Sequence, residues 1–469
     1  MGRAARRARS GRPQAGATLG LLRRNRDFRL MFLAQLISYM GDWFLFVALA
    51  GLVFSLTGSA GLVAALLAAQ TVPSALLTFV GGPLADRFDR RKLMVTVDFV
   101  RGVLALGFFL VGSARTVWLV YVLAGAISGL EAFFEPAASA AVPNVVDPED
   151  LATANVLTGS LWGTMLAVGA GLGGLVVAQF GRNAGYVGDA LSFLISAAML
   201  IRIRRPFSEP REAGFEHPNL LAATRETIRY ARHDHRVLAL LGVKGGFGVG
   251  TGVIGLLPVL AFTVYHAGDR GTGILYGFRG LGALIGPFLA RMLIVESDLR
   301  TLFWAISAAL ATYGVFYAGV PWMPSIYLAG LLVTFAHFGG GAQWTLSSYG
   351  LQRIVPDHIR GRVFAFDFGL VTGAIAAAAG IAGVLADHVD VRLVMDGFAV
   401  VGFGYAVLWT VLTRGVRRSL RPEAPEPPEP AGSPEPAGSP EPEGREEPAA
   451  EEPGREPGSA RSRRPAPGS

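Results

Sequence analysis

At 469 residues the chain is long enough for two or three soluble domains, yet 51% of its residues are hydrophobic and only 16% are charged. That balance points to a polytopic membrane protein. The absence of cysteine excludes disulfides and thiolate metal sites, and the net charge of +7 gathers at the ends of apolar stretches rather than on one face, which excludes a nucleic-acid footprint.

Residues 1–27 form a basic arm carrying Arg3, Arg6, Arg7, Arg9, Arg12, Arg23, Arg24 and Arg26. A long apolar run follows without a small-residue cleavage site, so the arm reads as the cytoplasmic holder of an uncleaved first span. A span needs about 20 residues. Stretches of that length lie near 28–56, 60–80, 93–112, 116–141, 153–180 and 184–201, then near 237–263, 271–292, 299–318, 323–347, 363–386 and 391–412. The expected fold is all-α and polytopic, with twelve transmembrane helices in two six-helix bundles, 28–201 and 237–413.

Between the bundles, 202–236 reads as a cytoplasmic linker. Leu221, Arg225 and Ile228 fall at helical spacing there, the mark of a short helix on the inner membrane surface. Turns after even-numbered spans carry Arg87, Arg90, Arg91, Lys92, Arg202, Arg204, Arg205, Arg225, Arg229, Arg232, Arg291, Arg300, Arg353, Arg360 and Arg362, whereas the opposite turns offer Arg115, Arg182, Arg270 and Arg392. Both termini are therefore expected in the cytoplasm. The end of the chain, 414–469, repeats PEPAGS-like units from Arg421 onward; nothing in it can bury a core, and a disordered cytoplasmic tail is expected.

The two halves repeat. Asp27 and Arg29 match Asp234 and Arg236; Gly82, Pro83 and Arg87 match Gly286, Pro287 and Arg291; Pro148, Glu149 and Leu151 match Pro356, Asp357 and Ile359; Asp189 matches Asp396. Four pairs in order at a nearly constant offset of about 207 mean a duplicated six-span unit. Six is even, so the repeats are parallel.

A short charged turn, GGPLADRFDRRK at 81–92, separates the second and third spans and demands a tight hairpin with its turn in water. The stretch resembles the G-x-L-A-D-R-x-G-R-K signature of the major facilitator superfamily through Gly82, Leu84, Ala85, Asp86, Arg87, Arg90 and Arg91 or Lys92, with Asp89 where the family has glycine. FFEPAASAAVPNVVDPEDLATAN (133–155), VGDALSFL (187–194) and IVPDHIRGRVFA (354–365) are similar to the branch that includes enterobactin-type siderophore exporters and macrolide efflux proteins. Drug antiporters of the superfamily often carry G-P-x-x-G-G in span five; here Gly169, Gly173 and Gly174 are kept and Ala170 replaces the proline.

The resemblance implies a central cavity lined by spans one, four, seven and ten, with substrate bound between the halves. An ionisable side chain at a helix centre costs about 2.5–3.5 kcal/mol on insertion scales and needs a partner or a water-filled cavity. The candidates are Asp42, Glu131, Glu135, Lys244, Arg279 and His337. Glu131 and Glu135 are one turn apart on one face; two close carboxylates repel when both are ionised, which suits proton uptake and release, unless Glu135, before Pro136, is solvated near the inner surface. Arg279 can hold an anionic substrate or pair with an acid across the cavity. His337 is either a titrating group or a packed, hydrogen-bonded span residue, and Lys244 is expected near the inner end, snorkelling. Asp98 and Arg101, at i and i+3, read as a structural pair. By resemblance Gly82, Asp86, Arg87, Arg90 and Arg91 form a conformational latch against the other half, and Asp86 can also cap the eleventh span.

These features imply a secondary transporter in a bacterial inner membrane, working by rocker-switch alternating access. The expected activity is proton-coupled export of an amphipathic drug, macrolide or siderophore by a monomer. The alternatives are an uptake symporter on the same fold or a non-transporting membrane scaffold or sensor. No G-x-x-x-x-G-K-[ST] nucleotide-binding loop occurs, no catalytic constellation is present, and no cofactor or metal is expected.

Overall fold

In a computed structural model, residues 15–207, 229–230, 232–294 and 298–420 are described. The linker helix expected around Leu221, Arg225 and Ile228, the arm before Ala15, the tail from Arg421 and the side chains of 78–87 lie outside them. A short helix α1 (Ala15–Arg24) precedes α2 (Arg26–Thr57), α3 (Ala60–Arg87), α4 (Arg90–Leu106), α5 (Trp118–Val145), α6 (Leu151–Phe180) and α7 (Arg182–Ile201). The second series is α8 (His235–Gly250), α9 (Gly252–Thr263), α10 (Gly268–Ile294), α11 (Leu299–Gly319), α12 (Ile326–Ile354), α13 (Asp357–Ala386), α14 (Val391–Leu412) and the short α15 (Arg414–Ser419). No strand occurs among the described residues.

The spans begin and end where local chemistry requires. Side chains accept hydrogen bonds from exposed backbone N–H groups at several helix starts: Asn25 from Phe28, Asp89 from Lys92, Asp298 from Thr301 and Asp390 from Arg392, each satisfying a donor that the helix leaves free. Asp89 thereby explains its own place in the charged turn. Its backbone is extended at φ −60° and ψ 115°, so the position needs no glycine, and its carboxylate starts α4. At the other end of the bundle Gly58 (φ 65°) and Gly181 (φ 80°) take the left-handed conformation that turns the chain sharply after α2 and α6.

Eleven stretches among the described residues are long and apolar enough to cross a membrane, α8 and α9 counting together. The 29-residue α12 is long enough but less apolar: His337, Gln343, Ser347 and Ser348 dilute it, and three of these are buried. Its polarity faces protein, the only place a membrane helix tolerates it. Large apolar side chains such as Phe99, Leu110, Trp162, Phe288, Val384 and Leu412 stand exposed instead, as a lipid-facing surface requires.

Packing is close because small residues let backbones approach. Within the first half α2 lies on α7 and α3 on α5; within the second α10 lies on α12 and α11 on α14. Two broad seams join the halves, α3 with α13 and α6 with α10. At the repeat offset α3 is the counterpart of α10 and α6 of α13, so the two seams are one contact used twice. Span seven is not one helix: Thr251, buried, breaks it between α8 and α9 with φ −79° and ψ 1°, and its hydroxyl returns a 2.6 Å hydrogen bond to the Gly248 carbonyl.

Candidate functional site

Charged side chains buried in a membrane bundle must find partners, and in the first half they find each other. Arg101 on α4 donates to Asp42 on α2 at 3.0 Å and lies 3.9 Å from Asp98 on its own helix. Its guanidinium stacks 4.0 Å from the Phe193 ring of α7. Asp98 in turn accepts from Ser196 at 2.5 Å. Glu135 on α5 accepts from the Tyr39 hydroxyl, and Glu131, one turn away, lies within electrostatic reach of Arg101, Asp42 and Glu135. Asp189 on α7 is fully buried beside Gly41 and Ser192. Five carboxylates thus surround one guanidinium near the middle of the bundle. Three of them, Asp42, Glu131 and Glu135, keep partial exposure, whereas Asp98, Asp189 and Arg101 are sealed in protein.

Arg101 is therefore not half of a self-contained pair with Asp98. It is shared, and its closer partner is Asp42 on another helix. A distance across helices leaves no trace in i, i+3 spacing. Asp189, singled out only by the repeat, belongs to the same cluster; an aspartate in the middle of an apolar run was its signal.

The second half has two separate groups. Lys244 on α8 is buried, forms an ion pair with Asp367 on α13 and donates to Ser348 at 2.9 Å. Its ammonium lies 4.7 Å from the Trp344 ring. The expectation that Lys244 snorkels is corrected: a carboxylate and a hydroxyl hold the ammonium inside. Arg279 and His337 share an aromatic pocket. His337 is hydrogen-bonded to the Tyr317 hydroxyl at 2.9 Å and stands edge-on to Tyr313, while the Arg279 guanidinium lies 5.3 Å from the Tyr276 ring. Tyr276 packs on Trp43 and Phe46 of α2, with ring centroids 5.9 and 4.8 Å apart. That contact joins the pocket to α2 across the seam between the halves.

At the end of the bundle that bears Gly58 and Gly181, here termed distal, side chains tie the halves together. Asp387 accepts from the Ser59 hydroxyl at 2.9 Å and from the Gly61 N–H at 3.0 Å. Arg182 bonds Asp269 at 3.3 Å and also reaches Ser55 at 2.7 Å. Phe54 and Phe262 meet at 5.0 Å. At the opposite, proximal end Arg90 donates to the carbonyls of Ala140 and Phe207, and Arg91 to that of Arg205. Arg205 reaches Asp147, and the N–H groups of Arg204 and Arg205 bond Asp27. The first residues of the linker are thereby clamped to the first half. The side chains of Asp86 and Arg87 lie outside the described residues. Among the described residues no group of three or more histidine, aspartate or glutamate side chains has the arrangement of a metal site.

Such a polytopic bundle, in two parallel helical series with a charged interior, is a membrane transporter of the major facilitator type, and its chemistry is not that of an enzyme. Residues 18–424 match the family described as transmembrane secretion effectors, and the chain belongs to that family. It is 30% identical over 436 residues to the enterobactin exporter EntS of Citrobacter koseri, covering 88% of this chain and 97% of that one. It is 28% identical to the multidrug efflux pump Tap of Mycolicibacterium fortuitum over 76% of this chain and 88% of that one. A bacterial homologue of the human lysosomal transporter Spinster, solved in its inward-facing unoccupied conformation, superposes with a TM-score of 0.64 at 14% identity, over 88% of this chain and 100% of that one. The nucleoside transporter NupG gives 0.66 at 10% identity, over 82% and 99%.

Proposed function

We propose that this transporter exports amphipathic small molecules in exchange for protons, by alternating access of the two halves. The observation that carries the reading is the first-half cluster. Five carboxylates against one guanidinium leave an excess of negative charge at mid-depth, which bound protons reduce, and Asp42, Glu131 and Glu135 keep the partial exposure that proton uptake needs. Protonation of Asp42 releases Arg101 toward Asp98, so a proton taken up at the cavity changes the contacts holding α2, α4 and α5 together. Relatives named as an exporter and an efflux pump support the outward direction.

The tied distal end supports a state in which substrate enters from the proximal side. On the charge rule that side is cytoplasmic in a bacterial inner membrane, and the conformational latch of Gly82, Asp86, Arg87, Arg90 and Arg91 belongs to the same side. The protein works as a monomer, each six-helix half moving as a unit.

The test is proton movement in proteoliposomes on adding lipophilic cations, macrolides and siderophores, with wild type and Glu131→Gln. Substrate-evoked proton movement is expected for wild type and its loss for the variant. Movement in the opposite sense would make the protein an uptake symporter, and no movement with any compound would overturn the proposal.

A further inference from the structure

A guanidinium near the middle of a membrane helix demands compensation, and Arg279 has none of the ordinary kind. Among the described residues it forms no ion pair or hydrogen bond, and its buried Nε has no partner. Its neighbours are rings: Tyr276 on its own helix, with Tyr313, Tyr317 and His337 within reach of its charge. It does not face lipid. Leu281, Ile285 and Phe288 mark the lipid-exposed side of α10, and Arg279 precedes Phe288 by nine residues, about two and a half turns, which sets it on the opposite side. One turn away on the same face, Tyr276 packs against Trp43, next to Asp42. The side chain keeps partial exposure, on the face of α10 turned away from lipid and on the other half from the acidic cluster.

We infer that Arg279 is an anion subsite, and that the transported molecule is an amphipathic aromatic compound bearing a carboxylate. The acid group docks on the guanidinium and the ring system lies against Trp43, which keeps partial exposure where Tyr276 behind it is fully buried. A guanidinium offers a planar fork that matches two carboxylate oxygens, and the Tyr276 ring 5.3 Å away backs that plane. The carboxylates across the seam repel the same group, so the substrate has one orientation, acid end toward the second half. A basic group elsewhere on the molecule would face Asp42 and Glu131. This inference rests on the transport reading for its meaning but not for its test.

The test uses the full chain in lipid nanodiscs, with N-dansyl-phenylalanine and its methyl ester as probes; they share an aromatic frame and differ by one negative charge. Dansyl emission, corrected with empty nanodiscs, reads binding. A charged hydrogen bond lost from a desolvated site costs about 1.5–3 kcal/mol, so the acid should bind at least about 10-fold more tightly than the ester. Arg279→Met should remove that preference and leave ester binding within about twofold, whereas Arg279→Lys, which keeps the charge without the fork, should retain part of it. Equal binding of acid and ester, binding of neither, or an Arg279→Met effect that weakens both alike would overturn the subsite. If a lipophilic cation still drives Glu131-dependent proton movement while acid and ester bind alike, the exporter stands and the subsite falls. If acid binding depends on Arg279 and no compound moves protons, the reverse holds.

Discussion

A buried guanidinium is tolerated only with partners, and Arg101 has one on each side, Asp42 on α2 and Asp98 one turn away on α4. Removing it leaves Asp98 buried without a counter-charge and takes the ion-pair partner from the part-exposed Asp42, which costs about 3–5 kcal/mol. Arg101→Met should therefore unfold at markedly lower temperature in detergent, and adding Asp42→Asn and Asp98→Asn should restore most of the loss. Failure of the double replacement to rescue would mean that Glu131, Glu135 and Asp189 also need the guanidinium, or that its stacking on Phe193 carries the loss. The Lys244–Asp367 pair offers the comparison, because both partners are buried in a half where the carboxylate is matched one to one. Lys244→Met alone should destabilise by a similar amount, about 3–5 kcal/mol, while Lys244→Met with Asp367→Leu should come out near neutral, since apolar replacement of a whole buried pair removes its desolvation cost. Thermal unfolding of the single and double variants decides it. At this scale the sequence was only half legible. A charge within an apolar run marks a residue as special, so Asp42, Glu131, Arg279 and Lys244 stood out, but which charge meets which is set by helices far apart in the chain, and neither Asp42–Arg101 nor Lys244–Asp367 has a local signature.

Helix identity, by contrast, follows from the chain directly. A span needs a run of apolar residues with polar stops, and those stops act as caps: Asp89 and Asp298 start α4 and α11 through their own side chains. The break at Thr251 was hidden, because the run from 237 to 263 is apolar apart from Lys244 and two threonines, and a glycine-rich segment reads equally as one flexible helix or two. The seams between helices also have a partial signature. The GAGLGG segment keeps its glycines without the proline, and α6 runs unbroken from Leu151 to Phe180. Gly174 of that segment lies against Gly273 of α10, so close that a methyl at Gly174 would come to 2.7 Å of the Gly273 Cα. Further along the same seam a methyl at Gly280 would collide with the Ala167 backbone nitrogen, whereas one at Gly277 would approach the Ala167 carbonyl at 3.4 Å, an ordinary contact. Backbone cannot give way as a side-chain tip can, so the two glycines should respond differently. Gly280→Ala is expected to force α6 and α10 apart and lower the transport rate in proteoliposomes severalfold, with Gly277→Ala near wild type. Equal rates for the two would show that the seam has slack.

For the whole molecule, alternation requires that the distal ties break and reform once per cycle. Two of those ties are polar, Asp387 with Ser59 and the Gly61 N–H, and Arg182 with Asp269, and the ring contact of Phe54 with Phe262 lies beside them. A polar contact at the water boundary is a good hinge for such a cycle, because its groups exchange protein partners for water at a net cost of only about 0.5–1.5 kcal/mol each. A fully apolar seam would have to expose its surface instead. The repeat explains where the ties fall, since α3 meets α13 by the same contact that joins α6 to α10, and one tie serves each seam. The chain has no cysteine, so a single pair can be introduced without background. Ser59→Cys with Asp387→Cys places two thiols where the hydroxyl and carboxylate now touch, within the reach of a disulfide. Oxidation should close the distal end permanently and stop transport in proteoliposomes, and reduction should restore it. Disulfide formation in the pair with transport unchanged would mean that the distal end does not open during the cycle, and the two halves would then have to pass substrate by some motion other than rocking about the central site.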